Sequence, residues 1–325
     1  MSGIDILKIN VTVIDDLECV CEINDRFVIC KEDVEEFKEE INTVVEKYRV
    51  WYERVLEILL YESDNCSLYQ CDNLELLRSI DSESVDLIYS DILYATGRDF
   101  NDYKDIPYNK ESVYEFYTER IKEMNRILNS NGTLALQMDF RISHWLRCIC
   151  DDFFGYKNCI NVIEWAYSSG GSNKKKLSQK NDTIIVYAKN IKNQTFNSMK
   201  EKSYNRDFKP YRFKGVEEFQ DEDGKWYTMV GMKSVWNDIP MVGRTSRERM
   251  DYATQKPLKL MNRIRDLYTN EGDIVADFFM GSGGMAVSAI EGNRIFIGCD
   301  ISEKACEITK SRILWLSICN RFRSD

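Results

Sequence analysis

Five short apolar runs that each end in aspartate constrain the fold of this chain more than any other feature. They are Ser67–Asp72, Val85–Asp91, Thr133–Asp139, Ile274–Asp277 and Ile295–Asp300, each of strand length. Between most of them lie stretches of helical period such as Glu111–Leu128, which the word Asn129-Ser130-Asn131-Gly132 should stop. Strands alternating with helices imply a parallel sheet covered on both faces, and ligands bind beyond the carboxyl ends of such strands. All five aspartates are therefore expected on one rim.

The unit Gly272–Asp300 reads as strand, tight turn, helix and strand. Ile274 to Phe279 is apolar, a glycine cluster follows, and Met285, Ala286, Ala289 and Ile290 recur at helical spacing before the run Ile295–Ile297. Gly281, Gly283 and Gly284 have no Cβ, so a ligand can approach backbone amides where the helix begins. Asp300 closes the second strand, where a carboxylate accepts hydrogen bonds from a ribose diol. An ordinary glycine-rich turn competes with a nucleoside-cofactor site here. A dinucleotide fits less well, because its fingerprint needs glycine where Ala286 stands.

Composition removes several classes of function. The 325 residues are 43% hydrophobic and 30% charged, enough for one large α/β domain with a smaller inserted or appended one. No apolar run is long enough to span a bilayer, and the first residues carry charge where a signal peptide needs an apolar core. Eleven cysteines without a Cys-x-x-Cys pair, beside the single His144, read as reduced buried thiols of a cytoplasmic protein, so no metal site is expected. The net charge of −10 argues against a protein that coats nucleic acid everywhere, and leaves room for a local basic face.

Three words in order then carry a resemblance. Asp91-Ile92-Leu93-Tyr94, with Thr96-Gly97-Arg98 downstream, resembles the Asp-Pro-Pro-Tyr motif of DNA adenine-N6 methyltransferases; Thr254-Gln255-Lys256-Pro257 and Asp277-Phe278-Phe279-Met280-Gly281-Ser282-Gly283 resemble the words of their cofactor half. With the catalytic word first and a basic region between, the chain is similar to the β class of amino-methylating DNA methyltransferases from about Ser67 to Arg312. That class occurs in restriction-modification systems and as orphan bacterial enzymes. The resemblance implies a Rossmann-like fold, a circularly permuted, mostly parallel, doubly wound sheet with an inserted target-recognition region.

It also implies roles. S-adenosylmethionine would be the cofactor, with Phe279 beside it, Gly281, Ser282 and Gly283 beneath it, Asp300 on its ribose, Asp72 at its adenine, Asp277 in the loop word, and Thr254 and Lys256 near its carboxylate. An exocyclic amine is a poor nucleophile, because its lone pair is delocalised into the ring. A carboxylate and a carbonyl that take its two hydrogens localise that pair, and Asp91 and the carbonyl of Ile92 fit those roles. Tyr94 would stack on the base, pulled out of the duplex. Ile92 and Leu93 replace both motif prolines, so two fixed φ angles are lost and packing must hold the loop. His144, at a helix start, is read as structural.

Double-stranded DNA is the implied partner. Lys174, Lys175 and Lys176 lie in a connection between the strands Val162–Trp165 and Thr183–Tyr187, and Lys202, Arg206, Lys209, Arg212 and Lys214 interleave with Tyr and Phe, a pattern suited to phosphate. The chain divides into an N-terminal β element (Val11–Ile14 and Phe27–Cys30) with a helical extension over 1–62, a catalytic half over 63–190, a target-recognition insert over 191–250 and a cofactor half over 251–325. A homodimer through the helical extension and a cognate restriction subunit stay open as partners. So do N4-cytosine methylation and a DNA-binding subunit that has lost transfer. A C5-cytosine enzyme is excluded, for it needs a Pro-Cys nucleophile and none occurs.

Overall fold

The computed structural model describes residues 10–14, 18–22, 54–98, 105–168, 170, 174–204, 210, 215–250, 252 and 254–321. In chain order the strands are β1 Asn10–Ile14, β2 Glu18–Glu22, β3 Leu59–Ser63, β4 Cys66–Gln70, β5 Val85–Asp91, β6 Leu128–Met138, β7 Cys159–Ala166, β8 Asn181–Ala188, β9 Lys200–Ser203, β10 Phe219–Gln220, β11 Trp226–Gly231, β12 Val235–Trp236, β13 Ile274–Asp277 and β14 Ile295–Asp300. Nine of them form one sheet in the order β12-β7-β8-β6-β5-β13-β14-β4-β3.

The five strands expected from the aspartate runs lie together in this sheet, and all run parallel. β8 is antiparallel to β6 and β7, and β3 to β4, so the sheet is mixed at both sides of a parallel centre. Alternate residues of β5 enter opposite cores. Ile88 packs with the helices Asn73–Ser79, Lys110–Ile127 and Ser143–Phe154, while Leu87 and Tyr89 pack with Leu258–Tyr268, Gly284–Glu291 and Glu303–Arg321. A strand buried on both faces needs a mostly apolar sequence, and only Asp86 and Ser90 interrupt this one before its end. The expected doubly wound α/β architecture is the one observed.

Adjacency of β5 and β13 matters most for function. Leu87 pairs with Val275 and Ile88 with Ala276, so two strands nearly two hundred residues apart in sequence become neighbours. Their carboxyl ends bring Asp91 beside Asp277 at the centre of the rim.

The helix ahead of Asn129–Gly132 stops as expected, at Ile127, and β6 begins at once: Leu128 pairs with Val85, Thr133 pairs with Leu87, and the four residues between bulge out of register. At the N-terminus the partner of β1 is Glu18–Glu22, closer in sequence than Phe27–Cys30, which lies outside the described residues. Most of the helical extension lies outside them as well. Within the insert, β9, β10 and β11 form a separate three-stranded sheet, while β12 returns to the edge of the main one. No helix among the described residues is long and apolar enough to cross a membrane.

Candidate active site

A cavity of about 450 Å³ opens over the carboxyl ends of β4, β5, β13 and β14. It collects Asp72, Asp91, Ile92, Tyr94, Thr254, Lys256, Asp277, Phe279, Gly281, Ser282 and Asp300, residues drawn from four separate stretches of the sequence. Asp139, the remaining strand-end aspartate, is not part of the lining; it holds the Arg141 guanidinium, which is. His144 is exposed outside the cavity with its ring on Trp145.

The glycine turn has the form a bound nucleoside needs. Gly281 and Gly283 have φ of 49° and 72°, left-handed values that glycine adopts without strain. A Cβ on Gly283 would lie 2.6 Å from the Thr309 side chain, so that position admits glycine alone. Asp300 fastens the turn, accepting from Gly281 N at 2.9 Å through Oδ2 and from Ser302 N at 2.9 Å through Oδ1. Phe279 presents its ring near Phe116 and Tyr117. Asp72 caps the helix Asn73–Ser79 through Leu74 N and receives the Arg120 guanidinium on both oxygens, at 2.8 and 2.9 Å. The same arginine donates to Asn73, whose amide reaches Phe278 O, so the aspartate that ends β4 is tied to the glycine loop.

Asp277 forms part of the deep floor of this cavity. It is 3% exposed, and its Oδ1 accepts from Ser90 Oγ and Phe279 N, both at 3.0 Å. Burial pushes its carboxyl up to about 8, with the nearby Asp91 and Asp300 adding to the rise. Ser90 is fully buried with it.

Around Asp91 four elements converge. Lys256 Nζ donates to Asp91 Oδ2 at 2.5 Å and Tyr94 Oη donates to Oδ1 at 2.7 Å. Burial raises the Asp91 carboxyl above its ordinary range; Lys256 pulls it down, and Asp182 adds repulsion. Lys256 was expected at the start of the helix Leu258–Tyr268, facing the cofactor carboxylate. Its ammonium turns to Asp91 instead, and the first helical amide, Leu258 N, is taken by Glu248 Oε2 at 3.2 Å. Tyr94 was expected to offer a ring face to a base; its hydroxyl is anchored, with Asp182 Oδ2 3.0 Å away on the far side.

The loop without prolines is held by hydrogen bonds. Ile92 N donates to Gln137 O, extending the β5–β6 pairing by one residue, a bond that proline could not make. Tyr117 Oη donates to Leu93 O at 2.8 Å. Ala95 has φ of 51°, a left-handed value costly for a residue with a Cβ. Asp105 secures it, with Ala95 N and Ile106 N on Oδ1 and Thr96 N and Oγ1 on Oδ2.

Asp105 and Asp182 were not found from the sequence. Aspartates were expected at the carboxyl ends of parallel strands, whereas Asp182 stands at the amino end of β8, which runs the other way and so begins at the same rim. An acidic residue directly before the run Thr183–Tyr187 was the available signal.

The connection carrying Lys174, Lys175 and Lys176 leaves the sheet at this rim, between the end of β7 and the start of β8, and all three are exposed. Lys202 is exposed on β9, its ammonium 4.6 Å from the Tyr227 ring centre. Arg206, Lys209, Arg212 and Lys214 lie outside the described residues. Among the described residues no group of three or more His, Cys, Asp or Glu could hold a metal ion.

Comparison with known proteins matches these features. A DNA methylase family of N6 and N4 methyltransferases matches residues 85–311. The Type II methyltransferase M.HpaI of Haemophilus parainfluenzae is 30% identical over 247 residues, covering 75% of this chain and 73% of the relative. The DNA adenine methyltransferase YhdJ of Escherichia coli K12 is 30% identical over 245 residues, covering 74% of this chain and 80% of the relative. Among solved structures, the cytosine-N4-specific PvuII DNA methyltransferase superimposes with a TM-score of 0.55 at 14% identity, covering 76% of this chain and 86% of that one, a likeness of fold.

Proposed function

The chain belongs to the DNA methylase family of N6 and N4 methyltransferases, enzymes that use S-adenosylmethionine, and from that premise we propose that it methylates the N6 amine of adenine at a specific site in double-stranded DNA. One observation carries the choice of amine acceptor. Ser90 and Asp91 lie side by side in the motif, and adenine enzymes of this class tend to carry aspartate where cytosine enzymes carry serine. Ser90 is spent on Asp277, inside the sheet, while Asp91 faces the cavity. This supports Asp91 as the first residue of the catalytic word.

The site suits the cofactor. The glycine turn with two left-handed residues, the strand-end Asp300 and the Phe279 ring are what a nucleoside needs on its phosphate-free side, and when bound there S-adenosylmethionine supplies an activated methyl group. Asp300 would hold its ribose, with Gly281, Ser282 and Gly283 beneath, Phe279 beside it and Asp72 and Thr254 at the walls. Asp277 keeps the loop in place from behind.

The chain's own residues then act on the base. Asp91 and the carbonyl of Ile92 accept hydrogen bonds from the two amine hydrogens, so the nitrogen lone pair is withdrawn from conjugation with the ring and localised for attack, and the proton lost on methylation leaves to water. An ionised carboxylate is the stronger acceptor of the two. Tyr94 packs its ring against the flipped base. Lys256 keeps Asp91 ionised against burial.

Digestion and mass analysis of DNA methylated by the pure protein tests this reading. N6-methyladenine is the expected product; N4-methylcytosine without N6-methyladenine would overturn it. Contact with phosphate by the exposed lysines has a separate test. Replacing Lys174, Lys175 and Lys176 together should flatten the salt dependence of DNA affinity by up to roughly three units of released charge. An unchanged slope returns this loop to ordinary surface.

A further inference from the structure

We propose that Asp182 is a positioning residue for the transfer step: it is the alternative acceptor for the Tyr94 hydroxyl, and by taking that hydrogen it frees Asp91 for the target amine. The inference rests on the proposed role of Asp91. It starts from a count of hydrogens. A tyrosine hydroxyl has one to donate, yet Tyr94 Oη lies 2.7 Å from Asp91 Oδ1 and 3.0 Å from Asp182 Oδ2. Only one carboxylate holds that hydrogen fully at a time.

In the structure both oxygens of Asp91 face a donor, Lys256 on Oδ2 and Tyr94 on Oδ1. An amine hydrogen arriving at Oδ1 shares that oxygen with the tyrosine, and each donor weakens the acceptor for the other. Rotation about the Tyr94 Cζ–Oη bond moves the hydroxyl hydrogen to Asp182, with no rearrangement of heavy atoms. Oδ1 is then open, and the ring stays in place against the base.

Asp182 is built to receive it. It is 5% exposed, and Tyr167 Oη donates to its Oδ1 at 3.0 Å while Gln137 Nε2 donates to its Oδ2 at 2.9 Å. Gln137 is oriented in turn by Tyr89, whose hydroxyl donates to its Oε1 at 2.8 Å. Three strands thus fix one acceptor on the far side of Tyr94. Lys256, 3.9 Å from Asp182, leans to Asp91.

A double-mutant cycle of Asp182→Asn and Tyr94→Phe, read as single-turnover methylation of DNA, tests this. A neutral amide accepts less strongly than a carboxylate, so Asp182→Asn leaves the hydroxyl on Asp91 and should slow transfer roughly tenfold, with S-adenosylmethionine affinity and melting temperature nearly unchanged. Tyr94→Phe keeps the ring and removes the hydrogen in dispute. In that background Asp182→Asn should cost less than about twofold, a non-additivity that neither a general electrostatic role nor a folding role produces. Equal losses in both backgrounds, or wild-type rates for Asp182→Asn, overturn the inference. If the Asn variant does not fold, Asp182→Ser gives the same comparison. Asp91→Asn at wild-type rate would instead overturn the role of Asp91 itself, which keeps the two failures apart.

Discussion

Asp91→Ala should lower methyl transfer by roughly a thousandfold, the scale expected when a positioned proton acceptor is removed, while titration with S-adenosylmethionine shows nearly unchanged affinity. The carboxylate serves the amine of the base and not the methyl donor, so the two measurements should separate. Charge balance makes the variant usable. Removing one partner of a buried pair normally strands the other, but Lys256 already lies 3.9 Å from Asp182 and can turn to it. The pH profile should agree. Burial holds the Asp91 carboxyl above its ordinary range, so the ionised form, and with it transfer, is lost as pH falls, at a higher pH than for an exposed aspartate. Near-normal turnover in Asp91→Ala would remove this residue from the mechanism.

How far the sequence leads is clearest by comparing β5 with Asp182. β5 is legible because a strand covered on both faces is mostly apolar and its last residue faces the rim; Val85 to Asp91, with only Asp86 and Ser90 polar before its end, was read to the residue. What the sequence hides is adjacency. Nothing in the words Asp91-Ile92-Leu93-Tyr94 and Asp277-Phe278-Phe279 says that their strands pair, and only the resemblance supplied that they share a site. The partner of Lys256 is hidden for the same reason, since 165 residues separate it from Asp91.

The missing prolines show a second limit. Sequence says that two rigid φ angles are gone, and it cannot say what replaces them. Asp105 and Tyr117 do so through hydrogen bonds to Ala95, Thr96 and Leu93, and a carboxylate with four donors has no signature in a run of letters. Asn129–Gly132 stops the helix as read, but its letters do not show that these residues form a bulge inside a strand pair, which looks the same in sequence as a loop between helix and strand.

A second large effect is expected at Asp277, and its sign follows from burial. The folded carboxyl is pushed up to about 8, whereas an unfolded aspartate has its ordinary value near 4. Between those values the folded state binds more protons than the unfolded one, so stability is full below pH 4 and falls as pH rises toward 8. The opposite holds for an aspartate in a salt bridge. Asp277→Asn copies the neutral form, and its amide oxygen can still accept from Phe279 N and Ser90 Oγ. Unfolding by urea at pH 6 and pH 9 should show wild-type protein losing stability relative to the variant, with the variant ahead at pH 9 by a few kcal/mol, up to about 5. Groups away from the rim titrate alike in the two proteins, so the difference reports this carboxyl together with its coupling to Asp91 and Asp300. Neutrality here also serves the site, because Asp91 and Asp300 already place two carboxylates around the glycine turn, and a third charge behind it would repel both. Parallel stability curves for the two proteins across this range would mean that Asp277 is ionised in the fold, and that the strand-end carboxylates tolerate one another by some other means.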